Sequence, residues 1–224
     1  MSTRVKRPLL AAILCAAAIA PLAAAAYAWG PIKDLDLRIL LHAEREAGAV
    51  YDVARVLVNL GDLASLLVLG AVVVAIGLYF GRRREVIAAL VVIAGANLTT
   101  QLLKAVLEHA RYKAWEHGVD LPWANSFPSG HTTAAASIAV ALLFVVPVHK
   151  RLDAATVGLL LTAAVGISVV VLGWHYPSDV LGGLLVVATW AFAMVAALRL
   201  RADRDRVVSA PPTPPSGHWA VSTE

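Results

Sequence analysis

Charge is scarce in this chain, and what there is sits in clumps. Only 15% of its 224 residues are Asp, Glu, Lys or Arg, against 59% hydrophobic, a balance too apolar for an ordinary water-exposed domain and typical of an integral membrane protein. Cysteine is nearly absent. Cys15 stands alone inside an apolar run, which excludes a disulfide framework and a cysteine-based metal site. The formal net charge of +4 does not read as a nucleic-acid footprint, because the basic residues fall in short clusters between apolar runs, the pattern that sets membrane topology. No nucleic-acid partner is expected.

What is present is a series of apolar runs, at about 8–29, 63–80, 86–103, 132–148, 154–172 and 180–198. Each approaches the length that crosses a bilayer. The first follows Arg4, Lys6 and Arg7 and ends near Ala26-Tyr27-Ala28, which also fits a signal peptide with a small-residue cleavage site; we read it as an uncleaved span. Between the first and second runs, 30–60 mixes Asp34, Asp36, Arg38, Glu44 and Asp52 with Ile39, Leu40, Val53 and Leu57, as an amphipathic helix at a membrane interface would. The pattern predicts an all-α fold: an integral membrane six-helix bundle with an outer interfacial amphipathic segment. It divides into 1–29 (N-terminal tail and first span), 30–200 (membrane helical domain) and 201–224 (a disordered, proline-bearing cytoplasmic tail).

Connections alternate in charge. Arg82 to Arg84, Lys150 with Arg151, and Arg199, Arg201, Arg204 and Arg206 follow the second, fourth and sixth runs, so these ends and both termini are expected in the cytoplasm. The outer ends of the remaining helices then gather Lys104, Arg111, Ser129 to His131, Trp174, His175 and Asp179. Ionisable groups collected at such a place point to a functional site.

The stretch Ser126-Phe127-Pro128-Ser129-Gly130-His131-Thr132-Thr133 predicts a helix start: Pro128 cannot continue a preceding helix, Ser129 is a good N-cap, and Gly130 lets backbone approach a ligand. The free N–H groups of that helix end suit a phosphate, with His131 beside it. In Gly173-Trp174-His175-Tyr176-Pro177-Ser178-Asp179, Pro177 predicts the first turn of the last helix. Asp179 could reach back to a nitrogen of His175, leaving the other nitrogen as a nucleophile; alternatively it caps its own helix. Lys104 and Arg111 stand two helical turns apart, about 10 Å along one face, suited to an anion or to snorkelling toward headgroups.

Together these three stretches resemble the signature motifs of the type-2 phosphatidic acid phosphatase superfamily, also called the lipid phosphate phosphatases, in their order, spacing and six-span setting over about 30–200. The resemblance implies that His175 is a nucleophile forming a phosphohistidine, that Asp179 orients it, and that His131 is the general acid. It implies that Lys104, Arg111, Ser129 and the Gly130 amide cradle the phosphate, with no metal and no cofactor. Two departures stand out. Arg111 is followed by Tyr112 where the family usually has proline, and Ser168 by Val169 where it has arginine. No Lys or Arg occurs between Asp153 and Leu198, so no realignment restores that arginine, although Lys113 could substitute. One charge-assisted phosphate contact is on the order of 1.5–3 kcal/mol.

The expected function is hydrolysis of a lipid phosphomonoester or pyrophosphate at the outer leaflet, with polyprenyl pyrophosphate favoured by analogy with small bacterial members of the family. The lipid substrate and surrounding membrane lipids are the expected partners. A catalytically weakened lipid-phosphate binding or transport protein is the alternative that Val169 motivates. A zinc site built from His131, His175 and Asp179, with His109, is a third reading. Trp115 and Trp123 are expected as interface anchors, Asn97, Thr99, Thr100 and Gln101 as helix-to-helix hydrogen-bonding residues, and Gly182 and Gly183 as sites of close helix packing.

Overall fold

A computed structural model describes residues 2–107 and 125–208. Among these residues eight α-helices follow one another: α1 (Thr3–Ala28), α2 (Gly30–Arg45), α3 (Val50–Leu57), α4 (Leu63–Tyr79), α5 (Arg83–Leu107), α6 (Gly130–Val145), α7 (Arg151–Val171) and α8 (Pro177–Val208). A 3₁₀ turn, Val58–Gly61, joins α3 to α4, and another, Val148–Lys150, leads into α7. The all-α expectation holds, and each apolar run is helical.

The number of spans is a different matter. Among the described residues four helices are long and apolar enough to cross a membrane, and a fifth span is added if α3 and α4, bent by 57° at their junction, count as one. The chain is a multi-pass membrane protein. α6 is too short to qualify: its 16 residues extend about 24 Å, less than a hydrocarbon layer of about 30 Å. Proline sets both limits, with Pro128 before its start and Pro147 just past its end. The segment 30–60 is two helices broken at Gly48, where φ is +41°. α3 buries Ala54 and exposes Val50, Val53 and Val56.

α6 is the central helix, packed against α4, α5, α7 and α8, while α1 lies along α8. Small side chains let its neighbours close in, and Thr132 to Ser137 are all buried. On one side Ile138, Ala141 and Val145 meet Val73, Val86 and Ala89 of α4 and α5. On the other, Ala136 meets Ala96, Val186 and Val187 of α5 and α8. Hydrogen bonds stitch the same helices. Asn97 donates to Ser137 Oγ at 3.2 Å, the Thr100 and Thr133 hydroxyls lie 3.0 Å apart, and Trp190 Nε1 donates to Thr99 Oγ1 at 3.1 Å.

α8 runs further than the sequence predicts. Residues 201–208 are helical, so the helical unit does not stop at 200. Asp203 and Asp205 tie that extension down, accepting from Ser2 Oγ at 2.5 Å and Arg84 Nη1 at 3.2 Å. The arginine-bearing ends of α1, α5 and α8 thus meet at one end of the bundle. Lys104 lies twenty residues along α5 from Arg84, about 30 Å away, at the opposite end.

Candidate active site

The turn before α6 is held in place by α8. Ser129 N donates to the carbonyl oxygen of Asp179 at 2.9 Å. Its hydroxyl caps α6, accepting from Thr132 N at 3.3 Å and Thr132 Oγ1 at 3.0 Å, as an N-cap serine should. Two glycines make the contact possible. A Cβ on Gly182 would lie 2.5 Å from the ring of Phe127, and one on Gly183 would lie 2.9 Å from the Ser129 carbonyl oxygen. Phe127 is fully buried and stands edge-on to Tyr27, with ring centroids 5.8 Å apart.

His175 is fixed by the end of α7. Gly173 takes φ +66°, a conformation that ends helices and favours glycine. The carbonyl of Val169 then accepts from Trp174 N at 2.9 Å and His175 N at 3.1 Å. Val169 therefore serves this site through its backbone. Its side chain is fully buried in an apolar cluster with Ala54, Val58 and Leu172.

Asp179 resolves the two readings of its motif by doing both. Oδ2 accepts from Tyr176 N at 2.9 Å in the first turn of α8, and it faces His175 Nδ1 at 3.2 Å. Ser126 Oγ donates to the same oxygen and lies 3.4 Å from His175 Nδ1. The sequence places Ser126 at the head of the turn but gives no sign of this role. Asp36 was also missed. It is buried in α2 and accepts from Ser178 N at 3.1 Å, and burial pushes its carboxyl upward while the hydrogen bonds from Ser178 pull it back.

His131 stands beside His175, with ring centroids 6.3 Å apart, and Trp174 lies 5.6 Å from the His131 ring. Its Nε2 is 3.0 Å from Asp62 Oδ1. His131, Gly130, Lys104, Asn125, Asn97, Gln101 and Asp62 line a cavity of about 710 Å³, whose remaining walls are largely leucine and alanine from α4, α5 and α6. Lys104 reaches into it from the last turn of α5 and is held at both ends by one residue. Its Nζ donates to Asn125 O at 2.9 Å, and Asn125 Nδ2 donates to the Lys104 carbonyl at 2.8 Å. A Cβ on Gly130 would lie 3.9 Å from Lys104 Cε, so the start of α6 and the lysine share one wall.

The structure thus brings together Lys104, Ser129, Gly130, His131, His175 and Asp179. Arg111, His109, Lys113, Trp115 and Trp123 lie outside the described residues. Ser129 is fully buried behind the cavity, as the helix cap, and His175 is 1% exposed, flanking His131. Among the described residues no group of three His, Cys, Asp or Glu side chains is placed to hold a metal ion. The two histidines instead face separate carboxylates, Asp62 and Asp179.

No curated protein matches the chain. The crystal structure of a transmembrane PAP2 type phosphatidylglycerolphosphate phosphatase from Bacillus subtilis shares its fold, with a TM-score of 0.68 over 85% of this chain and 96% of that one, at 24% identity. The family model described as the PAP2 superfamily matches residues 85–203, a stretch that contains Lys104, the turn before α6, His175 and Asp179. With over half of its length matched, and with the motif residues converging as described, the chain belongs to the PAP2 superfamily.

Proposed function

We propose that this protein is a membrane phosphohydrolase that removes phosphate from a lipid phosphate or pyrophosphate through a phosphohistidine at His175. The observation that carries the reading is the pairing of a carboxylate-backed imidazole, His175 with Asp179, with a second imidazole 6.3 Å away on a wall shared with Lys104. Phosphoryl transfer needs little covalent help from a protein and depends on positioning and electrostatics. Asp179 at Nδ1 leaves Nε2 of His175 as the nitrogen that attacks phosphorus. Lys104, Arg111, Ser129 and the Gly130 amide neutralise the equatorial oxygens, and His131 protonates the leaving oxygen. Water then cleaves the phosphorus–nitrogen bond. The reaction so drawn uses only side chains and amides.

The apolar walls supplied by Leu63, Leu66 and Leu98 suit a lipid chain lying beside the phosphate. Polyprenyl pyrophosphate is the favoured substrate. The arginine-bearing helix ends lie at the far end of the bundle from Lys104, which by the positive-inside rule supports a site on the extracytoplasmic side and both termini in the cytoplasm; six membrane passages fit that sidedness if the bent α3–α4 pair and the short α6 are each counted as one. In that topology the span of α6 begins at Thr132, and His131 sits at its rim. Release of inorganic phosphate in detergent from polyprenyl pyrophosphate, phosphatidate and phosphatidylglycerol phosphate tests the reading. Wild type is expected to release it from at least one. Equal background release by wild type and His175→Ala on all three would overturn the hydrolase.

Val169 favours a second reading, a catalytically weakened lipid-phosphate binder. It predicts retained lipid-phosphate binding without turnover, and a large gain in turnover when an arginine replaces Val169.

A further inference from the structure

Asp62 lies before the matched residues 85–203, on no motif, and occupies the N-cap position of α4. An aspartate there ordinarily accepts from the helix's own N–H groups, yet the Asp62 side chain makes no such capping bond. Its Oδ1 is directed instead at His131 Nε2, 3.0 Å away and 69 positions along the chain. The approach is built into the backbone. The residue before it, Gly61, packs so closely on His131 that a Cβ would come within 2.8 Å of both the Cβ and the carbonyl oxygen of that histidine. The 57° bend between α3 and α4 falls at this same point.

We propose that Asp62 is the positioning residue of the acid–base half of the site, fixing the His131 ring and holding its proton for the leaving group. This rests on the phosphohydrolase reading above. With the Nε2 proton of His131 donated to Asp62, Nδ1 is the nitrogen that meets the leaving oxygen. As His175 Nε2 bonds to phosphorus, the phosphorus–oxygen bond breaks, its electron pair goes to that oxygen, and the Nδ1 proton follows. In the second half the neutral Nδ1 takes a proton from water as its oxygen bonds to phosphorus and the phosphorus–nitrogen bond breaks, which restores the imidazolium. No proton is passed on to Asp62. Among the described residues it is the carboxylate paired with His131, against the cation of Lys104 on α5, which disfavours a second positive charge; His175, ahead of α8, stands beside the ring as the neutral nucleophile.

The test compares wild type with Asp62→Asn in the hydrolysis of dioctanoyl phosphatidate. A general acid that loses its supporting anion gives up its proton at lower pH. The alkaline limb of kcat/KM should move down by about one pH unit, with the variant near wild type at acid pH and about tenfold slower on the alkaline side. Titration of the His131 ring nitrogens by NMR, assigned with His131→Gln, should show the same displacement whether or not the lipid is turned over. A wild type inactive on this lipid and on polyprenyl pyrophosphate and phosphatidylglycerol phosphate as well would sink the hydrolase reading alone, and the NMR titration would still decide the role of Asp62. A fixed fold-loss at every pH, an unmoved limb, or an unmoved NMR titration would overturn the role of Asp62. Should Asp62→Asn not fold, the wild-type NMR titration decides: a His131 midpoint at or below the ordinary histidine value of about 6.5 overturns the proposal, and one above it supports it.

Discussion

Nδ1 of His175 lies 3.2 Å from Oδ2 of Asp179, four positions on, and neither side chain meets solvent. An imidazole so placed has one tautomer and one orientation, because Oδ2 also takes the Tyr176 N–H at 2.9 Å and cannot swing away. Asp179→Asn keeps the shape and loses the anion. Phosphate release should fall by about 10²–10⁴-fold, as when the carboxylate of other carboxylate–histidine pairs is neutralised. Combining it with His175→Ala should cost no more than His175→Ala alone.

Ser126 donates to the same carboxylate oxygen. A hydrogen bond to a charged group contributes about 1.5–3 kcal/mol, so Ser126→Ala should slow phosphate release by about 10- to 100-fold. Substrate binding should be little changed, which separate measurement of kcat and KM checks.

Close approach at two glycines is a packing requirement with a direct test. Gly183→Ala forces a methyl to within 2.9 Å of the Ser129 carbonyl, displacing the turn that carries Gly130 and His131. Overpacking of this kind costs about 1–3 kcal/mol, read as a lower melting temperature in detergent together with lost activity. Gly30→Ala, where nothing lies within 4 Å, should change neither.

Asp36 links pH to stability. Its carboxyl is raised above the ordinary 3.8, first by burial, so the folded state binds that proton more tightly than the unfolded chain does. The stability it contributes is present at low pH and is lost as pH rises through the range above 3.8. Asp36→Asn, which can still accept from Ser178 N, should flatten that loss. Asp36→Ala leaves the Ser178 N–H without its acceptor and should cost about 1–3 kcal/mol at neutral pH. Melting temperatures from acid to neutral pH separate the two variants.

The Val169 side chain is fully buried against Ala54, Val58 and Leu172. Val169→Arg should therefore lower the melting temperature, because a guanidinium is placed among apolar groups, without raising turnover. A large rise in phosphate release would instead favour the weakened-binder reading.

Much of this site was legible in the sequence because its signals are local. Pro128 and Ser129 announce the start of α6, and Pro177 announces α8. The hydrogen-bonding roles of Asn97, Thr99 and Thr100 followed from polar side chains in an apolar helix. Contacts across many residues were not legible. Asp62 looks like an ordinary helix cap until the bend at Gly61 sets it against His131, and Asp36 looks like one more charge on an amphipathic helix until α2 folds over Ser178. The span count was less legible for a similar reason: an apolar run records composition, whereas among the described residues the 57° bend at α3–α4 and the short α6 leave four or five helices long enough to cross by themselves. The helical extension past 200 is not legible because Asp203 and Asp205 read as a solvated tail, while in the fold Asp203 accepts a hydrogen bond from Ser2 and Asp205 pairs with Arg84.

The most direct test of the account is rapid quenching of the protein with a lipid phosphate carrying ³²P in its terminal group. A nucleophilic His175 predicts an acid-labile, alkali-stable label on that residue, absent from His175→Ala and longer-lived in His131→Ala. Steady phosphate release with no label on histidine, or a label that persists in His175→Ala, would contradict it.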